Sequence, residues 1–92
     1  MKKIHRVKCY DRFFEMTVTG QKEFEIRKND RGYEAGDLLE LNETTEGTYT
    51  GRAALFEITF ILAADSFPEG IKPGYVMLGI KPITGLYEED AR

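Results

Sequence analysis

Ninety-two residues allow one domain, and 41% hydrophobic with 32% charged residues and only three prolines excludes a disordered or low-complexity chain. The formal net charge of −3 argues against wholesale binding of nucleic acid, yet residues 1–31 hold nine Lys/Arg against five Asp/Glu while residues 32–70 hold one against eight. No apolar run reaches membrane-spanning length, and the first residues carry no apolar stretch of a secretory leader, so a cytoplasmic protein without membrane contact is expected.

In chain order, Ile4–Tyr10 alternates around Val7 and Cys9 and predicts a first strand, with His5 sharing their parity as a partly buried strand histidine. Asp11 is placed to cap a short helix with apolar contacts from Phe13, Phe14, Met16 and Val18, which Gly20 ends in left-handed conformation. Lys22–Lys28 alternates again, with Phe24, assigned to the core, and Ile26 on one face, and Glu23, Glu25 and Arg27 on the other. Leu38–Asn42 reads as a short strand with Leu39 and Leu41 inward, and residues 43–51 as a hairpin loop. Ala54, Phe56, Ile58, Phe60 and Leu62 form a period-2 stripe over a long strand, with Glu57 and Thr59 on its non-core face. Tyr75–Lys81 supplies a fifth strand, and residues 83–92 form an acidic, loosely held tail. These elements predict one α+β domain whose core spans about residues 4–82: a small barrel-like sheet of about five mostly antiparallel strands and one short N-terminal helix.

The usual catalytic signatures are missing: no Walker loop, G-x-S-x-G, dinucleotide fingerprint or H-E-x-x-H occurs. The single cysteine, Cys9, excludes an internal disulfide and reads as an inert core thiol. With His5 as the lone histidine, no metal and no cofactor are expected. The densest chemistry lies in Gly20–Arg31, where Lys22, Glu25 and Arg27 sit close in sequence. A carboxylate and an arginine at i, i+2 share a strand face and form a fork able to read a base edge, a carboxylate or a phosphate; with Lys22 they also hold the group types for acid–base work. The alternative for such a run is a solvated strand face.

Gly20-Gln21-Lys22-Glu23-Phe24-Glu25-Ile26-Arg27 matches G-x-K-x-x-E-x-R, and the chain thereby resembles the activating signal cointegrator homology (ASCH) domains of the PUA-like superfamily of small β-barrels. Within it the chain is similar to a small bacterial and phage-borne subfamily of unknown function. The further points of likeness are His5-x-x-Lys8, the Phe14 helix, Phe24–Arg31, Gly36-Asp37, Tyr49-Thr50-Gly51 and Gly74-Tyr75-Val76. The resemblance implies a PUA-like barrel that binds RNA or a nucleotide-like ligand in a cleft lined by Lys22, Glu25 and Arg27, with Arg31 and Tyr33 at the rim. Tyr49 and Tyr75, at a hairpin and a strand entrance, are further stacking candidates.

One ASCH branch removes the acetyl group from acetylated cytidine nucleosides with a Lys-activated Thr nucleophile, and that Thr stands where this chain has Glu25, which disfavours the activity here. A small hydrolase acting on RNA or a modified nucleoside through Lys22, Glu25 and Arg27 is nevertheless one alternative, so enzymatic activity is left open. A protein-interaction module related to the cointegrator is another, and exposed strand edges in so small a barrel leave room for a homodimer.

Overall fold

Buried His5, Val7 and Cys9 alternate with exposed neighbours along β1 (Ile4–Tyr10), so one face of this strand enters the core as its parity predicts. The computed structural model describes residues 2–88. It continues with α1 (Asp11–Val18), β2 (Phe24–Lys28), β3 (Leu38–Thr45), β4 (Thr48–Ala63), β5 (Tyr75–Pro82) and β6 (Tyr87–Glu88). The main strand order is β1-β3-β4-β5-β2. The β1–β3 pair is parallel and the others antiparallel, while β6 pairs with β4. The mixed sheet curls into a half-barrel around Phe14, Leu39, Leu41, Phe56, Ile58 and Leu78, so the α+β class and, among the described residues, the single short helix agree with expectation. Among the described residues no helix is long and apolar enough to cross a membrane.

The inward and outward faces differ from the sequence reading in β2. Its register pairs Glu25 with Leu78 and Arg27 with Val76, and these partners are fully buried; cross-strand partners share a face, so Glu25 and Arg27 point inward. Glu25 is 4% exposed, while Phe24, assigned to the core, and Ile26 on its face are 42% and 57% exposed. The apolar stripe of β4 also breaks. Ile58 pairs with Ile80 and Phe60 with Gly79, so Thr59 is an extra residue in a β-bulge that reverses the parity beyond it. Phe60 is therefore turned outward and 56% exposed, whereas Ile61 and Ala63 pack on the core.

Strand β3 is three residues longer than predicted, and the expected loop 43–51 shrinks to Glu46-Gly47. Both have positive φ, 50° and 82°, as a two-residue hairpin of primed type requires. Buried Glu40 lies on the outer face of β3. Arg6 Nε is 3.3 Å from its Oε1, Asn42 Nδ2 donates to Oε1 at 3.1 Å, and the Tyr87 hydroxyl donates to Oε2. The segment expected to be loose is thus held across 83–88, where Ile83 and Thr84 also donate backbone N–H bonds to Leu55; the remainder of the predicted tail lies outside the described residues.

The loop before β3 is anchored by buried Asp37, which accepts bonds from the Lys3 and Glu34 amides at 3.3 and 3.1 Å and lies 2.9 Å from His5 Nε2. The His5 hydrogen bond, more than the opposing effect of burial, holds the Asp37 carboxyl below its ordinary range. Because the folded value is depressed, this stabilisation is present above the unfolded carboxylate value near 3.8 and is lost as pH falls through the folded value. Urea melts at pH 6, 4.5 and 3 are expected to show a steeper acid loss for the wild type than for Asp37→Asn. Parallel curves would remove Asp37 from the acid response.

Candidate functional site

The site begins at the end of α1. Tyr10, not Asp11, is the N-cap; Asp11 occupies the first turn, taking bonds from the Arg12 amide at 2.8 Å and the Thr45 hydroxyl at 3.0 Å. Phe14 and Thr17 bury the inner side of the helix. Gly20, at φ +87°, ends it as the sequence predicts. Its N–H donates to Thr17 O at 3.2 Å and the Gln21 N–H to Met16 O at 2.9 Å, the paired bonds of a Schellman end. A third bond, Lys22 N–H to Met16 O at 3.1 Å, fixes the backbone from which the Lys22 side chain departs.

Lys22, Glu25 and Arg27 are brought together as the motif implied. Lys22 Nζ donates to Glu25 Oε2 and to Phe24 O, each at 2.6 Å, and Arg27 Nε donates to Glu25 Oε1 at 3.1 Å. Each oxygen of the buried carboxylate is held by a different cation, an arrangement that offsets the desolvation of the charge. The Lys22 nitrogen also lies 5.7 Å from the Phe13 ring centroid and 5.0 Å from that of Phe24.

These groups line a cleft of about 660 Å³ with apolar walls: Tyr10 and Phe13 on one side, Phe24 and Ile26 on the other, and Lys8 beside them. Lys8, Lys22 and Arg27 against Glu25 leave the cleft two positive charges in excess. The inward turn of β2 explains the charges and one wall, since it sends Glu25 and Arg27 into the concavity and leaves Phe24 and Ile26 of the same strand exposed.

Cys9 and Thr44 also line the cleft. Burial, then the nearby Glu25 carboxylate, pushes the Cys9 thiol up to about 12, so it is a neutral thiol at physiological pH. The Thr44 hydroxyl donates to Cys9 O at 3.4 Å.

The other candidates separate. Arg31 reaches from the loop after β2 to Arg6 O on β1 at 3.2 Å, beside the cleft rather than in it. Tyr33 is buried, its ring 4.7 Å from that of His5, and it is not among the residues that line the cleft. Tyr49 stands outside the lining, with its ring 5.8 Å from Lys8 Nζ. Tyr75 lines a separate concavity of about 500 Å³ with Asn29, Pro73 and Gly74. Lys8, Tyr10 and Phe13 are cleft residues that sequence reasoning did not place there. The outward parity of Lys8 and Tyr10 in β1 was their available signal; the approach of β2 to that edge was not. Among the described residues no cluster of His, Cys, Asp and Glu is arranged to hold a metal ion.

The chain matches the family described as "Domain of unknown function (DUF3850)" over residues 4–80. It is also 39% identical over 85 residues to the "Uncharacterized 12.9 kDa protein in GpA 3'region" of Escherichia phage P2, a match covering 91% of this chain and 78% of that protein.

Proposed function

We propose that this chain, which belongs to the DUF3850 family, is an ASCH-like, PUA-like domain that binds RNA or a nucleotide-like ligand in the cleft built on Lys22, Glu25 and Arg27. The observation that carries the reading is the ion-paired Glu25 carboxylate inside a cleft walled by aromatic and aliphatic side chains. Apolar walls suit the faces of a nucleobase, a fixed carboxylate accepts from its N–H groups, and the surplus positive charge attracts phosphate. Exposed Tyr10 stands where a ring can stack, and exposed Lys8 where it can meet a phosphate oxygen.

Hydrolysis is less well supported by the same groups. The Cys9 thiol is held neutral, the Thr44 hydroxyl is bonded to a backbone carbonyl, and both Glu25 oxygens already accept from cations.

Fluorescence anisotropy of a labelled single-stranded RNA across a salt series tests the proposal. Affinity is expected to fall with salt, and Lys8→Ala is expected to reduce the log–log slope by about one. Flat titrations at low salt and millimolar protein would overturn it.

A further inference from the structure

The polar groups of the cleft follow an order that restricts the base. Along the site the sequence is Lys22 Nζ, Glu25 Oε2, Glu25 Oε1, Arg27 Nε: a donor, two adjacent acceptors and a donor. An ammonium has three N–H bonds, and Lys22 gives two of them to Phe24 O and Glu25 Oε2, which leaves one for a ligand. Each carboxylate oxygen, having accepted one bond from a cation, retains a second acceptor position. The site therefore offers donor–acceptor–acceptor when read from the lysine.

From this order we infer that the cleft selects guanine, an inference that rests on the nucleotide-binding reading above. Guanine presents a carbonyl and two adjacent N–H donors along its Watson–Crick edge, the complement of Lys22 followed by the two oxygens of Glu25. The other standard bases present no two neighbouring donors. Adenine sets N1 beside its amine, cytosine sets N3 there, and uracil flanks its single N–H with two carbonyls. Each would turn a lone pair toward a carboxylate oxygen, so rejection is built into the site along with attraction. The Phe13 and Phe24 rings near the Lys22 nitrogen supply apolar surface for the base plane, and the net positive charge suits the attached phosphate. The ligand is thus a guanine nucleotide, free or within a single strand.

Isothermal titration of the full chain with GMP, IMP, AMP, CMP and UMP at one ionic strength is the test. GMP is expected to bind at least about tenfold more tightly than AMP, CMP or UMP, the discrimination typical of a two-bond base contact. IMP lacks the 2-amino group and is expected to fall between. Glu25→Gln replaces one acceptor with a donor and is expected to bring the bases within about threefold of one another, as read on protein whose thermal melt shows it folded. The IMP comparison uses unaltered protein and so stands even if that variant fails to fold.

A parallel titration with the RNA pentamers UUGUU and UUUUU identifies the source. Tighter binding of UUGUU than of GMP assigns the guanine to a strand, and equal affinity assigns it to the free nucleotide. Equal affinity for the four standard mononucleotides, or for GMP and IMP, overturns the guanine assignment while leaving nucleotide binding intact. Failure of every nucleotide and both RNAs to bind removes the underlying reading as well.

Discussion

Arg52→Ala is expected to lower the free energy of unfolding by about 3 kcal/mol, because it leaves a buried carboxylate without its cation. Glu43 is buried in β3. Arg52 Nε and Nη2 donate to its two oxygens at 2.8 Å each, and the Thr50 hydroxyl adds a bond of 2.7 Å. The same guanidinium reaches Glu15 Oε1 on α1 at 3.2 Å and lies 5.4 Å from the centre of the Phe14 ring, tying the β3–β4 hairpin to the helix. The Arg52 side chain is 35% exposed, which lets water reach the site in the variant and keeps the expected loss at the lower end for a broken buried pair.

The hydrogen bond from Arg52, chiefly, holds the Glu43 carboxyl below its ordinary range. Its stabilisation is therefore present above the unfolded value near 4.5 and is lost as pH falls through the folded value. The deficit of Arg52→Ala is accordingly expected to shrink in urea melts at pH 4, where protonation of Glu43 relieves the orphaned charge. Glu43→Gln combined with Arg52→Ala is expected to cost less than the sum of the single changes. A deficit under about 0.5 kcal/mol at pH 7 would show that solvent and Thr50 suffice for Glu43.

The elements of this fold were legible where one face is apolar and the strand is regular. β1, the first half of β4 and β5 place the predicted residues inside, and Gly20 marks the helix end. The error in β2 comes from parity itself, which reports that two sets of side chains face opposite ways, and not which set meets the core. In β2 both sets have a reason to be inside, and pairing with β5 decides for Glu25 and Arg27. In β4 the bulge at Thr59 inverts the pattern without any glycine or proline to announce it. In β3 the outward Glu40 is buried, and its carboxylate takes a bond from Tyr87 in a segment distant in sequence.

The candidate site was legible to the same degree. The motif contains one ion-paired cluster entire, since Lys22, Glu25 and Arg27 lie within six residues. The opposite wall depends on how far the sheet curls, which brings β1 and α1 to β2 through contacts of long sequence separation.

Arg27→Ala is expected to act on that curl and on the cleft together. β1 and β2 are the two edges of the curled sheet. Bonding in a parallel pair alternates along the strand, and Leu38 donates to Lys3 O, so the carbonyls of Arg6 and Lys8 point away from β3 toward the gap. Arg27 Nη2 donates to Lys8 O and Arg31 Nη1 to Arg6 O, so two side chains span the gap where backbone pairing is absent. Removing Arg27 takes one bridge and one of the two cations on Glu25, and a loss of about 2 kcal/mol is expected.

Native-state hydrogen exchange separates the two effects. Amides of β1 are expected to exchange about tenfold faster or more in Arg27→Ala, beyond the change in global stability, because β1 is then held chiefly by β3. Arg27→Lys restores a positive charge beside Glu25 but lacks the planar fork that reaches the carboxylate and the Lys8 carbonyl at once. It is expected to recover part of the nucleotide affinity while leaving β1 exchange fast. Recovery of both by lysine would make the contact one of charge alone, and unchanged β1 exchange in Arg27→Ala would mean that the sheet keeps its curl without the arginine.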